Sequence, residues 1–323
     1  MRVKVLGSAA GGGFPQWNCV CSNCQRLRDG KFHGRARSQT QLAFMTNNKV
    51  WFLLSASPDL RTQMIAAPEL CPGRGARNGA PSAAESPLGG VFLPSADVDS
   101  VAGLLHLREF QPFFVFATPA VRRILQQENR IFRVLERADP PVKWVALSSK
   151  GRLGCHLEEE PGAAPEFLCT TVPLGSKYPD YVSEELERVL APEEATSGFV
   201  IHQGDKRLFY APSISAEAAL TSDSLKWRSW IEDSDAAFLD GTFWSDDELM
   251  ATGRSKKTAR EVGHTPLSGP DGLLERYPKN SKGRRILIHM NNTNPILDED
   301  SPQHRAVLDA GFEIAYDGME LEL

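Results

Sequence analysis

With 323 residues, 41% of them hydrophobic and 24% charged, the chain has the make-up of an ordinary globular protein, long enough to bury a sizeable core in one large or two modest domains. Its 36 Lys and Arg against 41 Asp and Glu leave a formal charge of -5, with no basic block or basic helical stripe, so nucleic acid is not an expected partner. Apolar runs stay far below the roughly 20 residues that span a bilayer, and the opening MRVKVLGSAAGGGFP lacks the charged start, long apolar run and cleavage site of a signal peptide, so a cytoplasmic chain with no membrane span is expected.

In chain order, strand-like runs are expected at residues 3–6, 41–44, 50–54, 91–93 and 113–117, where β-branched and aromatic residues cluster between turn signals. A Gly-, Pro-, Ala- and Ser-rich stretch at 72–90 reads as a surface loop. Helical spacing follows at 119–136, then a polar insertion at 177–196 that carries a helix-like segment at 184–190. Further strands are expected at 198–202, 207–210, 236–239, 285–289 and 313–316, and further helices at 216–231, 258–262 and 303–310. The class is mixed α/β. With no fixed-period repeat or low-complexity tail, the economical reading is a single domain over 1–323, strands on two sheets with helices outside.

Three of the six cysteines, Cys19, Cys21 and Cys24, fall within six residues at C-x-C-x-x-C spacing. That is too tight for a disulfide framework and suits thiolates converging on one tetrahedral zinc, so a structural zinc loop is expected at 17–24, its fourth ligand supplied from elsewhere. Cys71, Cys155 and Cys169 are scattered and read as structural. Gly11-Gly12-Gly13 lacks the Lys-Ser/Thr of a phosphate loop and no helix follows it directly, which argues against phosphate binding.

LGSAAGGGFPQWNCVCSNC at the start, ASPDLR at 56–61, GLLHLRE at 103–109 and IHMNNTNPILDEDSP near the end closely resemble the PqqB family over nearly the full length. The resemblance implies a metallo-β-lactamase-like αββα fold and a role in the biosynthesis of pyrroloquinoline quinone (PQQ). Hydrolases of that superfamily carry an H-x-H-x-D-H loop, a bridging aspartate and a late histidine. Here the loop aligns as Ser95-Ala96-Asp97-Val98-Asp99-Ser100, so only Asp99 matches. PqqB-like proteins lack the first two histidines but usually keep the one after the aspartate, where this chain has Ser100. A hydroxyl is a poor substitute for imidazole at a divalent metal, and Asp97 is an alternative carboxylate on the same loop.

The same resemblance makes Asp99, Asp240 and His289 ligands of an active-site metal. Asp240, which ends a strand, is open to a plainer reading as an Asx turn. His264, after Gly263, matches a histidine beside the reacting group and is the expected catalytic residue, against a hydrogen-bonded structural histidine. Either His289 or Asn292 could complete the cysteine site; Asn292 stands where a relative with a similar cluster places a zinc-binding histidine. His33, His106, His156, His202 and His304 have no partner spacing and read as structural or surface residues.

Three functions follow as expectations, the first two implied by the resemblance. The first is hydroxylation of the tyrosine ring of a peptide-derived Glu-Tyr intermediate by dioxygen at non-haem ferrous iron (Fe2+), with zinc (Zn2+) confined to the cysteines. The second is a non-catalytic carrier of PQQ or its precursor towards the periplasm. The third, a metal-dependent hydrolase, is disfavoured because Ser95, Asp97 and Ser100 occupy the loop that would hold the hydroxide-activating metals.

Overall fold

The computed structural model describes residues 1–72, 86–109, 112–137, 142–149, 151–156, 165–220, 224–253, 255–277 and 281–323. One seven-stranded sheet is built from β1 (Arg2–Gly7), β2 (Gln41–Met45), β3 (Trp51–Leu54), β4 (Leu88–Phe92), β5 (Phe114–Ala117), β6 (Lys143–Ala146) and, from the end of the chain, β14 (Glu320–Glu322). Its order is β14-β1-β2-β3-β4-β5-β6. The other contains β7 (Arg152–Cys155), β8 (Phe167–Gly175), β9 (Thr196–Gln203), β10 (Lys206–Ala211), β11 (Ala236–Asp240), β12 (Arg284–Ile288) and β13 (Glu313–Ile314). Its order is β13-β12-β11-β10-β9-β8-β7. In each sheet one half is antiparallel and the other, β3 to β6 or β10 to β13, is parallel.

Side-chain alternation assigns each strand residue to a layer. Leu42, Phe44, Phe52, Leu54, Phe92 and Phe116 of the first sheet meet Phe167, Phe199, Ile201, Tyr210, Phe238 and Ile288 of the second in a shared core. Phe92 stacks on Phe116 at 4.2 Å and reaches across to Phe199 at 5.5 Å. Ala43, Trp51, Leu53 and Val91 turn outward to Leu60, Leu104 and Val121 on flanking helical segments. Val200, Phe209, Leu239 and Leu287 do the same towards Ile231, Leu273 and Val307 on the opposite side. Both faces of both sheets are thus covered, which is why so many strands read as continuous apolar runs rather than strict alternations. The result is the αββα metallo-β-lactamase-like sandwich. Among the described residues no helix is long and apolar enough to cross a membrane.

Several elements differ from expectation. The run at 119–136 is not one helix: Pro119–Arg123 is α-helical, Ile124–Glu128 forms a π turn and Arg130–Arg137 is 3-10. Asn129 interrupts it by bonding the Ile124 carbonyl with both its backbone N–H (3.0 Å) and Nδ2 (2.9 Å). Residues 258–262 form turns rather than a helix, because Gly263 at φ 93° ends the segment within one turn of Thr258. The expected helix at 216–231 divides into Ala216–Leu220 and Ser224–Asp233, with 221–223 outside the described residues. The loop at 72–90 falls at 73–85 outside the described residues, and its last part is β4. The 177–196 insertion holds a short helix, Glu184–Glu187, whose Ser183 cap accepts from the Leu186 N–H.

Candidate active site and cysteine centre

The cysteine loop enters a seven-residue helix, Ser22–Arg28, which puts Cys24 one turn from Cys21 and faces it inward. The sulfur atoms of Cys19, Cys21 and Cys24 lie within 4.8 Å of one another. Among the described residues this is the only group of three or more His, Cys, Asp or Glu side chains that converges tightly enough for one ion. Asn292 closes the group from the far end of the chain: its Nδ2 lies 3.1 Å from Cys19 Sγ, 3.5 Å from Cys21 Sγ and 3.4 Å from Cys24 Sγ. Burial opposes ionisation of Cys19, but the Cys21 backbone N–H, the neighbouring thiols and the Asn292 amide outweigh it, and its pKa falls below the ordinary thiol value. Burial pushes Cys21 up to about 12. Of the two residues weighed as a fourth partner, the structure brings Asn292 to the sulfurs and sends His289 elsewhere.

His289 follows β12 in a left-handed backbone conformation, φ 65°, and Ser55 leaves β3 at φ 75°. Such backbone is costly for a side-chain-bearing residue and persists where the surroundings over-determine it. Both residues line a cavity of about 790 Å³ at the ends of the strands. The loop after β4 adds Ser95, Asp97, Asp99 and Ser100 to the same cavity, and the turn after Gly263 adds His264.

Two carboxylate–imidazole contacts organise this wall. His289 Nε2 lies 3.1 Å from Asp99 Oδ2, and His264 Nδ1 lies 2.9 Å from Asp240 Oδ2. The two imidazoles stack, with centroids 5.3 Å apart and planes inclined by 22°. Burial works to raise the Asp99 pKa, but its hydrogen bond to His289 and the charges of His289 and His264 hold it below the usual carboxylate value. Asp97 moves the other way: burial in the wall and the charge of Asp99 raise it, although Ser95 Oγ donates to its Oδ2 at 2.7 Å. Burial disfavours the His264 cation, yet the charge and hydrogen bond of Asp240 outweigh that and raise its pKa.

Asp240 departs from the ligand role that the resemblance implies. It is fully buried and does not line the cavity. Its Oδ2 accepts from Ile214 N at 2.8 Å and from His264 Nδ1, while Oδ1 accepts from Thr242 N at 3.0 Å and Thr242 Oγ1 at 2.7 Å. Four donors use the roughly four lone-pair directions of a carboxylate. Asp240 thus combines the strand-end turn with an anchor for His264, beneath the cavity surface rather than on it. Burial opposes its ionisation, but His264 and the Thr242 donors lower its pKa.

Three features of the wall were not anticipated. The Thr242 hydroxyl touches both histidines and Asp240. The Tyr210 hydroxyl, on the cavity side of β10, lies 3.0 Å from Ser55 Oγ. Tyr181, from the polar insertion, donates to the Ala96 carbonyl and ties that segment across the Asp97 loop. The only prior signal was the Asp-Gly-Thr turn itself. Of the histidines set aside, His202 lies half-buried beside Arg152 and Arg207, with burial first and those charges second depressing it to about 4. His304 Nδ1 lies 2.8 Å from the Ile296 carbonyl.

The two centres are joined by residues 289–294. Asn23, on the cysteine helix, donates to the carbonyls of Asn292 (3.2 Å) and Asn294 (3.0 Å). Asn294 Nδ2 in turn donates to the carbonyls of Gly241 (2.9 Å) and Thr242 (3.1 Å).

Comparison with known proteins places this architecture. Residues 50–290 match the Beta-lactamase superfamily domain. Coenzyme PQQ synthesis protein B of Azoarcus sp. (strain BH72) is 39% identical over 334 aligned positions, and that of Pseudomonas putida (strain GB-1) is 36% identical over 330, each alignment covering 100% of both chains. The crystal structure of zinc-bound PqqB from Methylobacterium extorquens superposes with a TM-score of 0.84 at 36% identity, covering 100% of each chain. The chain belongs to the coenzyme PQQ synthesis protein B family, on the beta-lactamase superfamily fold.

Proposed function

We propose that this chain acts in PQQ biosynthesis as an oxygen-dependent hydroxylase of the tyrosine ring of a Glu-Tyr unit derived from the PQQ precursor peptide. The observation that supports this most is the Asp99–His289 contact at 3.1 Å in the wall of a cavity of about 790 Å³, with His264 stacked alongside. Carboxylate and imidazole together suit ferrous iron in kind, and Asp99 and His289 are the pair that would hold it. Ferrous iron, when bound, supplies the activation of dioxygen. Asp240 and Thr242 fix the orientation of the rings, and the strap from Lys177 to Tyr181 lines the cavity and limits water around the phenol. His264 faces the substrate and is the group that would hold or pass a proton.

The cysteine centre is separate and structural. Three converging sulfurs with a buried amide against all of them fit zinc, which the Methylobacterium extorquens relative carries. Holding that loop to residues 289–294 would connect metal binding there with the backbone of His289.

One observation favours a second reading. Ser100 stands where the family usually has an imidazole, and no third carboxylate or imidazole among the described residues joins Asp99 and His289 closely enough to complete an ion site. A site with two firm donors suits a carrier that receives PQQ or its precursor without turning it over. The deciding experiment supplies the purified chain with ferrous iron, a Glu-Tyr dipeptide and oxygen. Ring-hydroxylated product is expected. Saturable binding of the dipeptide or PQQ with no product would establish the carrier reading, and neither binding nor product would end both.

A further inference from the structure

The Thr242 hydroxyl stands where two histidines of the cavity wall meet the carboxylate beneath them: 2.7 Å from Asp240 Oδ1, 2.9 Å from His289 Nδ1 and 3.1 Å from His264 Nδ1. A hydroxyl brings one hydrogen and two lone pairs. An ionised carboxylate can only accept, and a bond to it is charge-assisted and stronger than one to a neutral ring nitrogen, so the hydrogen goes to Asp240. What Thr242 turns towards the two rings is therefore lone pairs, and a ring nitrogen facing a lone pair must carry a hydrogen.

For His264 a second acceptor makes the same demand, because its Nδ1 is also 2.9 Å from Asp240 Oδ2. For His289 the Thr242 oxygen is the acceptor that faces Nδ1. We infer that Thr242 is a positioning residue that places a hydrogen on Nδ1 of both His264 and His289, leaving Nε2 of each ring as the atom that meets a ligand or metal.

One consequence is specific to His289. Its Nε2 is 3.1 Å from Asp99 Oδ2, an acceptor, so a hydrogen on that nitrogen, or a metal ion in the hydrogen's place, must lie between them. With Nδ1 already carrying a hydrogen, either arrangement puts positive charge beside Asp99. The threonine hydroxyl thus turns the Asp99–His289 pair into a place that demands positive charge. That the cation is ferrous iron rests on the function proposed above; the position of the ring hydrogens does not.

The test uses the full chain, zinc-replete at its cysteines and labelled with 15N-histidine, as wild type, Thr242→Ser and Thr242→Val. Two-bond 1H–15N correlation spectra should show a protonated Nδ1 on His264 and His289 in the wild type and in Thr242→Ser, which keeps the hydroxyl. In the isosteric Thr242→Val the His289 Nδ1 should lose its hydrogen, while His264 stays fixed by Asp240. Anaerobic titration with ferrous iron should then be about 10–100-fold weaker in Thr242→Val than in Thr242→Ser, the usual cost of losing a group that orients a ligand. An unprotonated His289 Nδ1 in the wild type overturns the inference, and so does an unchanged His289 pattern in Thr242→Val. If Thr242→Val does not fold, the wild-type spectrum alone decides. Absence of iron binding in every form would count against the metal reading and leave the hydrogen assignment standing.

Discussion

Replacing Asp240 by asparagine tests whether this residue anchors the site from below. The side chain keeps its shape but offers one acceptor oxygen instead of two. The native carboxylate receives Ile214 N and His264 Nδ1 on one oxygen and Thr242 N and Thr242 Oγ1 on the other, all between 2.7 and 3.0 Å. In either amide orientation two buried donors lose their acceptor and face an N–H instead. At about 1–3 kcal/mol for each buried group left unsatisfied, the loss is roughly 2–6 kcal/mol. That is a large part of the 5–15 kcal/mol typical of a folded domain. The assay is the urea midpoint of Asp240→Asn and wild type, both with zinc retained and no iron added. If Asp240 were instead an exposed ligand pushed towards other carboxylates, removing its charge would leave stability unchanged or higher. A difference within about 0.5 kcal/mol would refute the anchoring role.

Glu248 is buried between the Trp244 N–H and the Thr293 hydroxyl, and burial raises its pKa from 4.5 to about 7. The unfolded chain releases this proton above pH 4.5 while the folded chain holds it to about 7, so the group should cost on the order of 3 kcal/mol of stability as pH rises through that window. Glu248→Gln should flatten the fall, and an identical pH profile would show that Glu248 is not the titrating group. Cys24→Ser should release the zinc, measured by metal analysis, and lower stability, because structural zinc binding is coupled to folding; a zinc-free variant of native stability would dismiss a structural centre. Ser100→His should tighten ferrous iron in an anaerobic titration, since imidazole is the better donor and sits beside Asp99 on the same loop. Unchanged affinity would mean that position 100 does not face the metal.

The sandwich was legible where strands carry plain apolar runs, as in β2, β3, β10 and β11. It was not legible in β8 or β14. β8 contains Pro173, a usual sign against a strand, and accommodates it with a register shift between Pro173 and Gly175. β14 is three residues, Glu-Leu-Glu, with one apolar position to bury. The cysteine centre could be read from spacing because its three thiols come from one short stretch. Asn292 could be suspected only through the family resemblance, since 268 residues separate it from Cys24. Thr242 carried no signal of this role: a threonine after Asp-Gly reads as turn chemistry. Its role exists only because β11, β12 and the turn before His264 deliver three polar groups to one hydroxyl. Asp240 shows the converse, a residue whose motif position was clear and whose orientation depended on the donors packed around it.

The most direct measurement is restoration of PQQ output in a bacterium lacking its own PQQ synthesis protein B, with PQQ quantified by reconstitution of a quinone-dependent dehydrogenase. The wild-type chain should restore output, while His289→Ala and Asp99→Asn, produced at equal levels, should not. No restoration by the wild-type chain, or full restoration by both variants, would contradict a role for this cavity in making the cofactor.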